Sequence, residues 1–184
     1  MCLGGLIAVL APLASARPSL FIRNWQSDVG LPDNTVIGIT QSSDGFLWVA
    51  TKTGLSRFDG VQFRPWSVPT DGIQTRGCKE VLGDRRGRLW VAKDQGVVAC
   101  VDQGRTTTVV GAEYAAGDVA DRLMVEDAEG AIWVSYAGGE VLRIQDGQVR
   151  SFTEADGLPA GGVCLLAVDG MGLLWFSRGD WVGV

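Results

Sequence analysis

The side chains able to do chemistry in this chain are few in kind. Its 184 residues include no histidine. That excludes, within the chain, a Ser-His-Asp or Cys-His nucleophile, a histidine metal ligand and a phosphoacceptor histidine. Cys2, Cys78, Cys100 and Cys164 lack CxxC spacing, so neither a zinc site nor a repeated disulfide framework is expected, and the last three read as small buried residues. The 21 Asp and Glu residues could in principle act in pairs as general acid and base. Most of them stand in turn-like segments such as "DAEG", where a short acceptor caps backbone amides. No pair can be given a catalytic separation, so no catalytic residue, metal or cofactor is expected. Seven polar residues remain as binding candidates: Asp33, Asn34, Lys52, Arg76, Lys93, Asp94 and Asp121.

The elements that must position those seven are written into a repeat. "DGFLWVATKTGLSRFDG" is echoed by "RGRLWVAKDQGVVACVD", "EGAIWVSYAGGEVLRIQDG" and "MGLLWFSRGDWVGV". Trp48, Trp90, Trp133 and Trp175 are spaced by 42, 43 and 42 residues, and Gly45, Gly87, Gly130 and Gly172 keep the same intervals. Nine residues before each tryptophan stands an apolar residue, Ile39, Val81, Met124 or Leu166, within a strand-like run. A four-residue turn follows, opened by Ser42, Asp84, Asp127 or Asp169 and closed by the glycine. The tryptophan strand comes next, then "GLSRFD" and "VQFRPW". Four short strands in a period of about 42 residues suit a propeller blade, and no 3.6-residue periodicity argues for helix. A large aromatic at one fixed position is best read as filling the space between neighbouring sheets.

A second marker, "GLPDN" at Gly30, recurs at Gly72 and Gly157, between blades. The expected organisation is therefore all-β, an incomplete arc of roughly 3.5 blades. The blades span 31–72, 73–115 and 116–157, with a partial fourth at 158–184 cut off after its second strand. Trp25 precedes Gly30 by five residues, as Phe152 precedes Gly157. The segment 17–30 is thus expected to supply an outer strand that closes a blade encoded far downstream. Strand direction alternates within a blade, so the loops entering the first strand share a face with those joining the second to the third. The seven candidates fall on that face, where loops converge.

Composition narrows the partners. Twenty-six glycines suit many tight turns, and a net charge of −5 leaves no basic stripe for nucleic acid. Residues 1–16 have an apolar core and an A-x-A pattern at Ala14 and Ala16, resembling a secretory signal without its basic leader. No other segment approaches the roughly 20 apolar residues of a membrane span.

The run "GLPDNTVIGITQSSDGFLWVATKTGLSRFDGVQF" resembles the two-component regulator propeller repeat. The later copies match more loosely: Lys93 stands where the first has Thr51, and the third reads "GEVLRI". The resemblance implies the N-terminal part of a periplasmic sensor. Such sensors carry two seven-bladed propellers, an immunoglobulin-like domain, a membrane helix and a kinase, hybrid or diguanylate cyclase output. It further implies a small-molecule or oligosaccharide ligand, contact with the rest of the same sensor, and a homodimer as one arrangement. Two other readings stay open. One is a secreted lyase-like propeller enzyme, which "EGAIWVSYAGGEVLRI" resembles but whose central histidine is missing. The other is a propeller that only spaces or joins other domains.

Overall fold

The computed structural model describes residues 22–66, 77–111, 119–162 and 164–184, with the side chains at 29 and 119–123 left aside. The expected signal at 1–16 and candidate Arg76 lie outside the described residues.

Each repeat folds into one antiparallel meander. The first sheet is β1 (Val36–Gln41), β2 (Leu47–Thr51), β3 (Gly54–Phe58) and β4 (Phe63–Trp66). The second is β5 (Cys78–Gly83), β6 (Leu89–Lys93), β7 (Val98–Asp102) and β8 (Arg105–Val110). The third is β9 (Val119–Glu126), β10 (Ile132–Tyr136), β11 (Val141–Gln145) and β12 (Gln148–Phe152). The fourth holds β13 (Leu165–Val168), β14 (Leu174–Arg178) and β15 (Trp181–Gly183). A third strand therefore forms in the last blade, where the sequence suggested an end after the second. Gly179 and Asp180 are enough to turn the chain back, and Arg178 pairs with Trp181. No α-helix occurs among the described residues, and short 3-10 turns are the only helical pieces.

The turn between the first two strands explains the tryptophan-glycine pattern. Gly45, Gly87, Gly130 and Gly172 donate their N–H to the carbonyls of Ser42, Asp84, Asp127 and Asp169 at 2.9–3.1 Å. Their φ values of +80 to +87° are the left-handed region that favours glycine. The first residue of each turn then accepts from the indole Nε1–H six positions later. Trp48 donates to Ser42 Oγ at 2.9 Å, Trp90 to Asp84 at 2.8 Å, Trp133 to Asp127 at 2.7 Å and Trp175 to Asp169 at 2.8 Å. The side chain that forms the turn also satisfies the polar end of the large aromatic, which a buried indole requires.

Packing runs between sheets. The inner strands β1, β5, β9 and β13 lie side by side as an arc. Gly83 allows the close approach, because a Cβ there would stand 2.7 Å from the carbonyl oxygen of Gln41. Its N–H donates to Thr40 Oγ1 at 2.9 Å. Trp48, Ala50 and Leu55 pack on Val81, Leu89, Val91 and Val101 of the second sheet. Trp90, Val98 and Val110 pack in turn on Met124, Ile132, Val134 and Leu142 of the third. The tryptophans are therefore not equivalent. Trp48 and Trp90 are buried, Trp133 is half-buried, and Trp175, against which no further sheet packs among the described residues, is 41% exposed. Ile39 at the other end of the arc is exposed for the same reason.

The expected outer strand at the N-terminus is not formed over 22–26, which are irregular. The equivalence that suggested it is nevertheless present in the backbone. Gln26 and Thr153 share φ/ψ values near −133° and −175°, and each precedes a 3-10 turn ending at a glycine of φ +102° or +100°. The Trp25 ring meets Phe58 and Phe63 edge-on at 5.2 and 6.1 Å, so the segment packs against the first blade without a strand partner among the described residues.

Candidate functional site

Two faces of the arc carry polar loops. The face anticipated for binding is formed by the entries to β1, β5, β9 and β13 and by the β2–β3, β6–β7, β10–β11 and β14–β15 loops. Several of its predicted residues are committed to local backbone. Asp33 accepts the Thr35 N–H at 2.6 Å, and that bond, with Lys52 adding a smaller effect, holds its carboxyl below the usual aspartate range. Asn34 Oδ1 accepts the Ser27 N–H at 2.7 Å. Asp33 therefore forms a local turn, Asn34 ties the segment back to Ser27, and Lys52 is exposed.

In the second blade, Lys93 and Asp94 do come together. Asp94 sits on the loop after β6 and is 3.6 Å from Lys79. Burial holds the half-buried Lys93 ammonium below the usual lysine value, with Cys78 and Asp94 pulling the other way. Asp121 lies within strand β9 instead of on a loop entering it, because pairing with β10 starts at Val119.

Lys93 also belongs to a column that sequence reasoning did not resolve: Thr51, Lys93, Tyr136 and Arg178, each third after the repeated tryptophan. Tyr136 donates to the Gly96 carbonyl at 2.8 Å, and Arg178 donates to the carbonyls of Gly139 and, at 2.6 Å, Pro159. Tyr136 and Arg178 thus each reach the β2–β3-type loop of the preceding blade. Tyr136 is fully buried, and burial pushes its phenol pKa far upward. In the third and fourth blades, Tyr136 and Arg178 on this face fasten one blade to the preceding one.

The three described cysteines are buried and form no disulfide among the described residues. Desolvation pushes the thiols of Cys78 and Cys100 up to about 11, which makes them poor nucleophiles at neutral pH. Among the described residues no group of acidic or cysteine side chains could hold a metal. No helix among them is long and apolar enough to cross a membrane.

The opposite face carries the β1–β2, β3–β4, β5–β6 and β7–β8 turns. There a cavity of about 330 Å³ opens between the first and second sheets, lined by Ser42, Asp44, Trp48, Arg57, Trp66, Arg86 and Asp102 among others. None of the seven predicted residues lines it. The signal for it in the sequence was Ser42, the one non-aspartate in the Ser42, Asp84, Asp127, Asp169 column.

Residues 30–53 match the family model described as two component regulator propeller. No curated protein sequence matches the chain. Among solved structures, the extracellular domain of BT3049 from B. thetaiotaomicron, described as a hybrid two component system, superposes with a TM-score of 0.69 at 17% identity over 88% of this chain and 23% of that one. The extracellular domain of BT4673 from the same organism gives 0.67 at 23% identity over 83% and 23%. Virginiamycin B lyase from Staphylococcus aureus gives 0.61 at 20% identity over 78% and 49%. The chain spans about a quarter of the length of the two extracellular domains, and these likenesses show the fold. Over residues 30–53 the chain carries the two-component regulator propeller repeat, which supplies β1 and β2 of the first blade of a β-propeller arc.

Proposed function

We propose that the chain is a non-catalytic signal-input propeller, exported from the cytoplasm, that binds a small extracellular solute and passes its occupancy to the rest of a membrane-anchored two-component-type sensor. The observation that carries this reading is the regulator-propeller repeat at 30–53, set in a fold shared with extracellular domains of proteins described as hybrid two component systems. The lyase likeness supports an enzyme less well. A form of that lyase made catalytically inactive carries a histidine-to-alanine substitution, and this chain has no histidine to serve in its place.

The test is an in-frame chromosomal deletion of codons 31–184, followed by transcript profiling across a panel of extracellular nutrients. The loss of one nutrient-specific response is expected. Identical induction in the deletion and the parent across the panel would overturn the sensor reading.

A further inference from the structure

The three complete blades solve the same local problem in two ways. In the second, Arg88 lies over the Trp90 ring at 5.1 Å and its Nε donates to Asp84 at 2.6 Å. In the third, Arg143 lies over Trp133 at 5.8 Å, with Asp127 at 3.9 Å and Glu129 at 2.7 Å. An arginine stacked on the repeated tryptophan is therefore neutralised by the turn carboxylate. The first blade has the arginine and lacks the partner. Arg57 pairs across the strands with Trp48, as Arg143 does with Trp133. Its guanidinium lies 4.2 Å from the Phe46 ring centre, 5.8 Å from that of Trp66 and 6.0 Å from that of Trp48.

At the turn stands Ser42, whose hydroxyl is occupied by Trp48 Nε1 and by Asp44. Asp44, the counterpart of Glu129, is turned to the Ser42 hydroxyl and the Phe46 N–H. Among the described residues Arg57 has no hydrogen bond and no ion pair. Trp66 Nε1 is buried and likewise without a partner among them. Both groups are donors only, and both line the cavity between the first two sheets.

We propose that this cavity binds a small monocarboxylate with a flat apolar body, its carboxylate taking at Arg57 the place that the Asp84 and Asp127 carboxylates take in the next two blades. A planar guanidinium matches a carboxylate through paired hydrogen bonds, and Trp66 lines the cavity beside it. Trp48, Leu89 and Val101 give the apolar wall. The volume of about 330 Å³ lies at the small end of ligand pockets, which run from ~300 to 1,000 Å³. Asp44 and Asp102 also face the cavity, while Arg86 is shared with Asp146 at 3.2 Å, so a single negative charge is accommodated better than several. The inference rests on the sensor reading only in treating the bound molecule as a signal.

The test is a titration of the chain with benzoate and with cyclohexanecarboxylate, followed through the indole N–H resonances, with Trp66 assigned from Trp66→Phe. The expected result is a saturable shift of the Trp66 resonance with either acid, absent with benzamide. Arg57→Met should weaken binding by about tenfold or more, the equivalent of about 1.4 kcal/mol. Ser42→Asp supplies the carboxylate internally, as in the neighbouring blades, so it should keep the fold and abolish the shift. This second variant keeps the test decisive if Arg57→Met does not fold. Three results each overturn the proposal: no Trp66 shift with either acid up to its solubility limit, an equal response to benzamide, or undiminished binding in Ser42→Asp. Because the readout is binding alone, a failure here is distinguishable from an unchanged transcript profile.

Discussion

Replacing Asp84 by alanine probes the link between turn and tryptophan that each blade repeats. The carboxylate is 4% exposed as a residue and accepts three donors: the Arg88 N–H at 2.8 Å, Arg88 Nε at 2.6 Å and Trp90 Nε1 at 2.8 Å. Trp90 is itself 3% exposed, so its indole N–H has no access to water once the carboxylate is gone. Leaving a buried donor unpaired costs about 1–3 kcal/mol. The Arg88 guanidinium keeps some contact with solvent and with the indole face, which places its share at the low end. The sum is about 3–5 kcal/mol for Asp84→Ala. Asp84→Ser copies the arrangement of the first blade, where Ser42 Oγ already accepts from Trp48 Nε1 at 2.9 Å. It should recover the indole bond and cost only about 1–2 kcal/mol. Urea unfolding with a shared m-value separates the two variants by their midpoints. Equal midpoints for Ala and Ser, or a loss below about 0.5 kcal/mol in both, the range of ordinary surface substitutions, would show that the side chain at 84 does not hold the Trp90 indole.

Further outcomes follow from the same geometry. Trp90→Ala should cost about 3–5 kcal/mol and Trp175→Ala under about 1 kcal/mol, because the first indole is sealed by the third blade and the second is 41% exposed; equal costs by urea denaturation would contradict the packing order. Cys78 and Cys100, raised to about 11 by burial, should resist alkylation at pH 8 in the native chain and react fully in denaturant, as read by peptide mass mapping. Asp169 has its carboxyl held below the usual aspartate value by the Trp175 indole and then by the Leu173 N–H. A depressed folded pKa means that its contribution to stability is present above the unfolded value of about 3.9 and is lost as pH falls through the folded one. The Trp175 indole resonance should therefore move at a pH below that of an ordinary aspartate, and a midpoint at or above 3.9 would contradict the bond.

The fold was legible because it is written four times over a short range. Period, turn glycine and tryptophan each report a local requirement, so the order of strands within a blade could be read without long-range information. Where the structure departed from expectation, the cause was a relation between elements. The burial of Trp48, Trp90, Trp133 and Trp175 depends on what packs against each, which identical spacing conceals. Asp33 and Asn34 read as solvent-facing loop residues, and one oxygen of each also holds local backbone, that of Thr35 and of Ser27. Lys93 read as a rim residue, and its column in the repeat turns out to hold Tyr136 and Arg178, which reach the preceding blade. Arg57 was not singled out, because its significance lies in a carboxylate missing fifteen residues earlier in the chain. The substitution at Ser42 was visible, but only the stacking of Arg88 and Arg143 on their tryptophans shows what it leaves open.

The role proposed for the propeller is to bind a solute without transforming it. The direct measurement is to incubate the purified chain with every compound that raises its melting temperature and to follow each compound by mass spectrometry over many molar equivalents. Saturable stabilisation with the compound recovered intact is the expected result. Conversion of any stabilising compound to a product faster than in buffer alone would contradict it and restore the enzyme reading.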